Sequence, residues 1–352
     1  MKDFIFIVII ALILVFWYFA PARVQERVGN GGIYYSEDGG ETWEQMAIKE
    51  NRFLITSLDI LSMAVHPGNS DVLYLGAKKG GLYKSYSRGK YWHQITGEEK
   101  NLFDDADIYD IAIDNKDADK IYLAVYQNKR GRIFRSEDGG ERWEEVYAVL
   151  EKQQIISQIV IDSYDSSVVY AGTTEGGFLK SVDCCKSWQA VKWFDGAVSK
   201  IAINPKDTRV VYVGLADGGV YKTRDKGITW HSLEDNLEEF DKNRAISAAG
   251  VDPKNPNTVY LGSLYGLLVS GDGGLNWQAV KTVMPSESKS VLSLNLGLGE
   301  VSQLIYGADS IVYRSSDGGK NWVVSQLPAD KKIKEIVIDP QNPNLIYAGV
   351  GE

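Results

Sequence analysis

An eight-residue box ending in tryptophan recurs seven times along this chain. It reads SEDGGETW, SYSRGKYW, SEDGGERW, SVDCCKSW, TRDKGITW, SGDGGLNW and SSDGGKNW, closing at Trp43, Trp92, Trp143, Trp188, Trp230, Trp277 and Trp322. Successive tryptophans lie 42 to 51 residues apart, the period of propellers and solenoids. The intervening sequence excludes a helical solenoid. In SKIAINPKDTRVVYVGLADGGVYKTRDKGITWHSL, residues 199–233, a β-rich run, a Pro/Asp turn, a second run, a Gly-Gly turn and a third run precede the box, and Trp230 opens a fourth. Four strands per period, A to D in chain order, make one propeller blade.

The box is then the turn between strands C and D. Its acidic side chain accepts hydrogen bonds from the turn's amides, its glycines tolerate positive φ, and its tryptophan buries between neighbouring blades. Asp38, Asp138, Asp183, Asp225, Asp272 and Asp317 therefore read as structural, because seven-fold symmetry spreads them around a rim where no substrate could touch them together. The second box has Ser87 instead and is expected to be the weakest. The chain enters its fold with strands C and D alone (GGIYYSEDGGETW) and finishes with strands A and B alone (IKEIVIDPQNPNLIYAGVGE). Joined, they complete a seventh blade and leave no open sheet edge. The expected fold is all-β: a seven-bladed propeller of four-stranded antiparallel blades over 31–352, closed by a composite blade from both termini.

One segment departs from this pattern. Residues 4–20, FIFIVIIALILVFWYFA, carry no charge and just reach spanning length. They predict an N-terminal hydrophobic helix within 1–22, a signal anchor, followed by a linker at 23–30; the small residues Ala20 to Ala22 would also suit a cleaved signal peptide. The expected location is the cell membrane, single-pass with the propeller on the extracytoplasmic side, or secreted if the leader is removed. The formal charge of −9 over 352 residues argues against nucleic acid, whose phosphates demand a basic surface.

The S-x-D-x-G-x-x-W boxes, with runs such as VDPKNPNTVYLG before them, resemble the Asp-box (BNR-repeat) propellers: sialidases, xyloglucan-cleaving glycoside hydrolases, sortilin-type receptors and the photosystem II assembly and stability factors. A single ring behind a hydrophobic leader is most similar to the last group. That resemblance implies a non-enzymatic extracytoplasmic scaffold that binds another protein, itself membrane-associated, without a cofactor. A carbohydrate-binding or carbohydrate-cleaving propeller acting on a polysaccharide is the alternative. Sialidases need an arginine triad and an R-I-P motif, and the nearest string, GRIFRS (131–136), is a strand entering a box. The family shares the box across different chemistries, so function must be argued from the site.

Contact residues are expected on the face opposite the boxes, where the D-to-A loops vary and the B-to-C turns lie. Trp193 is the one tryptophan outside both the boxes and the leader. With Phe194, and with Phe103, Phe240 and Tyr265, it is a candidate partner anchor. Glu175 and Asp217 precede equivalent Gly-Gly turns on adjacent blades. The xyloglucan-cleaving enzymes place a catalytic aspartate before a similar turn, so the resemblance makes this pair the acid and base if the chain is a glycosidase. His93 and His231 occupy equivalent repeat positions on different blades and do not converge as metal ligands would; no metal is expected. Basic residues before the boxes (Lys84, Arg135, Lys180, Lys222, Arg314) are expected to form cross-strand pairs. Cys184 and Cys185 replace the Gly-Gly of other boxes, and in an oxidising compartment a strained adjacent disulfide could form; free thiols in a tight turn are the alternative.

Overall fold

The computed structural model describes residues 30–46, 55–96, 101–243, 245–281, 290–297 and 303–352. Twenty-eight strands form seven four-stranded antiparallel sheets. Blade one is composite, in the order Glu44–Gln45, Gly32–Ser36, Ile346–Gly351, Lys332–Ile338. Blades two to seven span 60–95, 107–148, 156–193, 198–232, 246–279 and 291–326. Closure is antiparallel, pairing Gly32 with Val350 and Ser36 with Ile346. The innermost strands A touch in circular order, that of blade one lying against those of blades seven and two.

Packing between blades follows from residues at fixed repeat positions. Every strand A shifts register just after a β-branched residue: Ile60, Ile108, Ile156, Val198, Ile246, Val291 or Ile333. Each such residue is a knob entering strand B of the preceding blade. The hole is a glycine in six blades: a Cβ on Gly214 would lie 2.5 Å from Ile246, and one on Gly307 or Gly349 the same distance from Ile333 or Ile60. Gly76, Gly172 and Gly262 do the same for Ile108, Val198 and Val291, and blade three has Ala124 there.

The boxes fold as expected, and the six with an aspartate share one chemistry. In the first, the Ser36 hydroxyl donates to Asp38 at 2.7 Å, the amides of Glu41 and Thr42 donate to the same carboxylate at 3.0 and 2.9 Å, and the Thr42 hydroxyl adds a fourth bond at 2.5 Å. The fourth and fifth box residues have positive φ in all seven, from Gly39 at 78° and Gly40 at 91° to Gly318 at 74° and Gly319 at 89°, a region that favours glycine but that Arg88, Cys184, Cys185 and Lys226 also adopt here. The fourth residue's amide donates back to the A-to-B turn of its own blade, as from Gly139 to Asp119 and from Gly273 to Asn257. Its carbonyl accepts from the preceding blade: Tyr74 and Lys84 on Gly139, Tyr212 and Lys222 on Gly273. Lys180 and Arg135 reach the carbonyls of Lys226 and Cys184 in the same way. Lys84, Arg135, Lys180 and Lys222 thus strap one blade to the next and also keep the expected cross-strand partners: the three lysines lie over the rings of Tyr74, Tyr170 and Tyr212 at 5.4, 5.8 and 5.0 Å, and Arg135 bonds Glu144 at 2.7 Å. Trp43, Trp143 and Trp277 are buried in clusters shared with the preceding blade, and Trp230 meets Phe178 of the preceding blade edge-on at 5.1 Å.

In the second box Ser87 accepts a bond from the amide of Tyr91, at 2.9 Å. It lacks the bonds that a carboxylate draws from the sixth residue's amide and the seventh side chain. Elsewhere those bonds hold the carboxylates well below their ordinary range. Asp183, Asp225 and Asp272 sit at about 2, chiefly through side-chain bonds from Ser187, Thr223 and Asn276, and Asp317 sits at about 2, chiefly through the amide of Asn321. A carboxylate depressed on folding contributes stability that is complete above its unfolded pKa, near 4, and lost as pH falls through the folded value. Melting temperature should therefore decline between about pH 4 and pH 2, and Asp272→Asn should flatten part of that decline. An unchanged acid limb in the variant would remove the box from the cause.

Three expectations need correction or lie elsewhere, and for the cysteine pair the free-thiol alternative holds. The predicted N-terminal hydrophobic helix, residues 4–20, and nearly all the linker lie outside the described residues. Among the described residues no helix is long and apolar enough to cross a membrane, which corrects the single-pass location. Phe194 and Phe240, expected to be exposed anchors, are buried, Phe194 against Tyr221 and Trp230 and Phe240 against Tyr265; their loops fold inward because these rings have apolar neighbours to cover. Cys184 and Cys185 are free thiols, both at positive φ, and burial pushes the Cys185 thiol up and keeps it protonated.

Candidate functional site

The A-to-B turns share the box face, as their bonds to the boxes show, so the B-to-C turns and D-to-A loops form the opposite face. There the connection between blades four and five gathers most of the candidates. Strand Gln189–Trp193 runs to this face, and Gly177 pairs with Trp193. The indole edge lies over Gly177, where a Cβ would stand 3.1 Å from the ring. With only a glycine beneath it, Trp193 remains 57% exposed. The chain then turns sharply: the Phe194 amide donates to Gly176 at 2.8 Å, and Phe194 drops into the core.

Glu175 and Asp217 flank this turn. Glu175 adjoins Gly176, whose positive φ of 86° permits the close approach of the Phe194 carbonyl. The Asp217 carboxylate lies against Gly196. Both acids are exposed. Sequence reasoning missed their neighbours. Tyr221 of blade five has its hydroxyl 3.5 Å from Glu234 and is kept from ionising by burial first, then by the charges of Glu234, Asp195 and Asp217. Asp195, Asp217 and Glu234 thus form an acidic rim around Tyr221 where blades four and five meet, next in the chain to Trp193. The acidic D-to-A loops carried the signal, but which carboxylates converge depends on the ring. Phe103 and Tyr265 are partly buried on other blades and do not join this group.

A second polar group lines the axis. The residues after the register shifts of strands A are Ser62, Asp110, Gln158, Lys200, Ala248, Ser293 and Glu335. Asp110 accepts from the amide of Ile159 at 2.9 Å, Gln158 from Ile201 at 2.6 Å and Ser293 from Ile336 at 2.8 Å, so these side chains bridge neighbouring blades. Burial raises the carboxyl of Asp110 and lifts that of Glu335 to about 7, with Lys200 opposing both. Polar residues inside otherwise apolar strands were the overlooked signal. Among the described residues no group of three or more His, Cys, Asp or Glu side chains could hold a metal ion.

Residues 34–45 match the BNR/Asp-box repeat, and residues 131–261 match the Sortilin-Vps10 family, described as sortilin, neurotensin receptor 3. No curated protein sequence matches the chain. Among solved structures, the GH74 xyloglucanase from Xanthomonas campestris aligns with a TM-score of 0.67 at 17% identity over 90% of this chain. This chain spans about half of that enzyme's length, 52%. YCF48 bound to D1 peptide aligns with a TM-score of 0.62 at 14% identity, over 84% of this chain and 94% of YCF48. YCF48 from Cyanidioschyzon merolae aligns with a TM-score of 0.62 at 12% identity, over 83% and 96%. At these identities the likeness shows the fold: a seven-bladed Asp-box propeller.

Proposed function

We propose that this propeller is a non-enzymatic binding module, a scaffold that grips a basic segment of another protein at Trp193 and the adjoining acidic rim. The observation that carries this reading is Trp193 itself, 57% exposed with no repeat role, two residues before Asp195, which with Asp217 and Glu234 surrounds Tyr221. An exposed indole offers a large rigid contact area, and clustered carboxylates select Lys or Arg next to it. The overall charge of −9 reinforces that choice. The alignment with nearly the whole of YCF48, a structure of which holds a D1 peptide, supports a peptide-like occupant.

The expected result is that a peptide array probed with the protein selects sequences carrying Lys or Arg beside an apolar residue. Trp193→Ala should weaken the best of them by roughly 30-fold, the loss of one hot spot, and binding should weaken with salt. Selection without charge bias, unaffected by Trp193→Ala, would reject the assignment. A polysaccharide-cleaving reading is favoured by one feature, that Glu175 and Asp217 flank a single turn. It requires sugar release that Glu175→Gln or Asp217→Asn abolishes while saccharide binding persists, and a glycan panel run with the same preparations decides it.

A further inference from the structure

Lysine straps fasten three seams on the box face in one way. Lys84, Lys180 and Lys222 each lie over a strand-B tyrosine and donate to the carbonyl of the fourth residue in the next box, that of Gly139, Lys226 or Gly273. Between blades four and five a second ammonium joins: Lys226 reaches back to Asp162, a buried carboxylate in the A-to-B turn of blade four, at 2.7 Å. Between blades six and seven the acceptors persist and both lysines are replaced. The strap position is Val269, opposite Tyr260, and the fourth box residue is Gly318. Tyr260 still donates to the Gly318 carbonyl, but at 3.4 Å, against 2.8 Å from Tyr74 to Gly139.

A cavity of about 530 Å³ opens at this seam. Asp252, Asp272 and Asp317 line it with Tyr260, Val269 and Gly318; the other lining side chains are neutral and polar except Lys320, which is exposed and pairs with none of the three acids. Asp252 is the counterpart of Asp162 and only 4% exposed. Its Oδ1 accepts from the amides of Lys254 and Asn255 at 2.8 and 3.3 Å, as Oδ1 of Asp162 does from Tyr164 and Asp165. Among the described residues nothing donates to its Oδ2, the atom that in Asp162 receives Lys226. The same atoms of Asp114 and Asp339 are also unpartnered but sealed from solvent, whereas Asp252 faces the cavity. A buried carboxylate with one oxygen unbonded is best met by a charged donor. Asp272 and Asp317, whose own turns hold them at about 2, add negative charge nearby. A primary ammonium has three N–H donors, enough for Asp252, the Gly318 carbonyl and water, and can lie over Tyr260 as the lysines lie over their tyrosines.

We propose that the seam between blades six and seven binds a primary ammonium group, held by Asp252, the Gly318 carbonyl and the ring of Tyr260. The group belongs either to a free alkyl amine or to a lysine side chain of a partner. The site lies on the box face, so it stands or falls independently of the rim next to Trp193. Ligand-observed NMR with butylamine and with Nα-acetyl-lysine methylamide distinguishes the sources: binding of the first alone assigns a free amine, and binding of the second, alone or with the first, assigns a side chain. Val269→Lys, which restores the strap and brings a tethered ammonium to the cavity, should lower affinity roughly tenfold or more. Val182→Lys adds the same charge at an exposed position of blade four and should leave affinity unchanged. Asp252→Asn should also lower affinity roughly tenfold or more with its turn intact, since Asn204 makes the same two amide bonds in blade five. No binding of either probe at ~10 mM, equal binding by wild type and by Val269→Lys or Asp252→Asn, or stronger binding of tetramethylammonium or cellobiose than of either amine would overturn the proposal.

Discussion

A chain ending at Lys332 should fail to unfold cooperatively and should aggregate. Removing 333–352 deletes most of strands A and B of blade one, and with them Ile333, Ile336, Ile346, Tyr347 and Val350, all at most 1% exposed. Burying each such side chain is worth roughly 2 kcal/mol, about 10 kcal/mol together, against a total stability of about 5–15 kcal/mol for a folded domain. The loss is also structural. Strand Gly32–Ser36 would lose its partner in the closure, and the strands A of blades two and seven would lose the neighbour between them, leaving free edges. The measurements are the light-scattering profile and the thermal transition of the truncated protein; a monomer with the full-length melting temperature would refute the composite blade.

Gly214→Val should lower the melting temperature by roughly 6–10 °C, from about 3 kcal/mol of overpacking. Its first added carbon alone would lie 2.5 Å from Cγ2 of Ile246, and Ile246 is fixed on the innermost strand of the next blade, so relief requires two blades to part. Gly271→Ala is the matched control, with nothing within 4 Å of the added carbon, and should change stability by less than about 0.5 kcal/mol. Shortening the knob should rescue the hole: Gly214→Ala with Ile246→Ala should be less damaging than the two single effects added, because the pair shares one space. Strict additivity in calorimetry would show that the two residues do not compete for it.

The blade count and the closure were legible because each box is a local device, in which an aspartate (Ser87 in the second), its own amides and two positive-φ residues lie within eight positions. The straps were not legible. Lys84 meets the carbonyl of Gly139, 55 residues on, through a symmetry that no short window contains, and Lys84 alone reads as an ordinary strand residue. The glycine holes read only as weak points in strand B until Ile246 and its equivalents are seen to enter them. Trp193 stood out because the repeat assigns it no task. Phe194 and Phe240 were misread for the opposite reason: an aromatic in a variable loop is taken as exposed, while here Tyr221, Trp230 and Tyr265 give each a buried place. The acidic rim was half visible, since Asp217 could be named but its company with Asp195 and Glu234 depends on how blades four and five meet.

The register of the closure also sets how the ring responds to tension. Gly32 pairs with Val350 and Ser36 with Ile346, so the two chain ends leave the clasp at the same end of the strand pair. A load drawn between Gly32 and Gly351 does not slide the strands past each other against all their hydrogen bonds at once. It falls on the first bonded pair, then on the next, peeling the clasp in sequence from Val350 toward Ile346. Strands pulled in shear resist as a set, and strands pulled apart from one end resist one rung at a time. The clasp is therefore the mechanically soft seam of an otherwise continuous wheel, and force borne through its two ends would open it before any other blade.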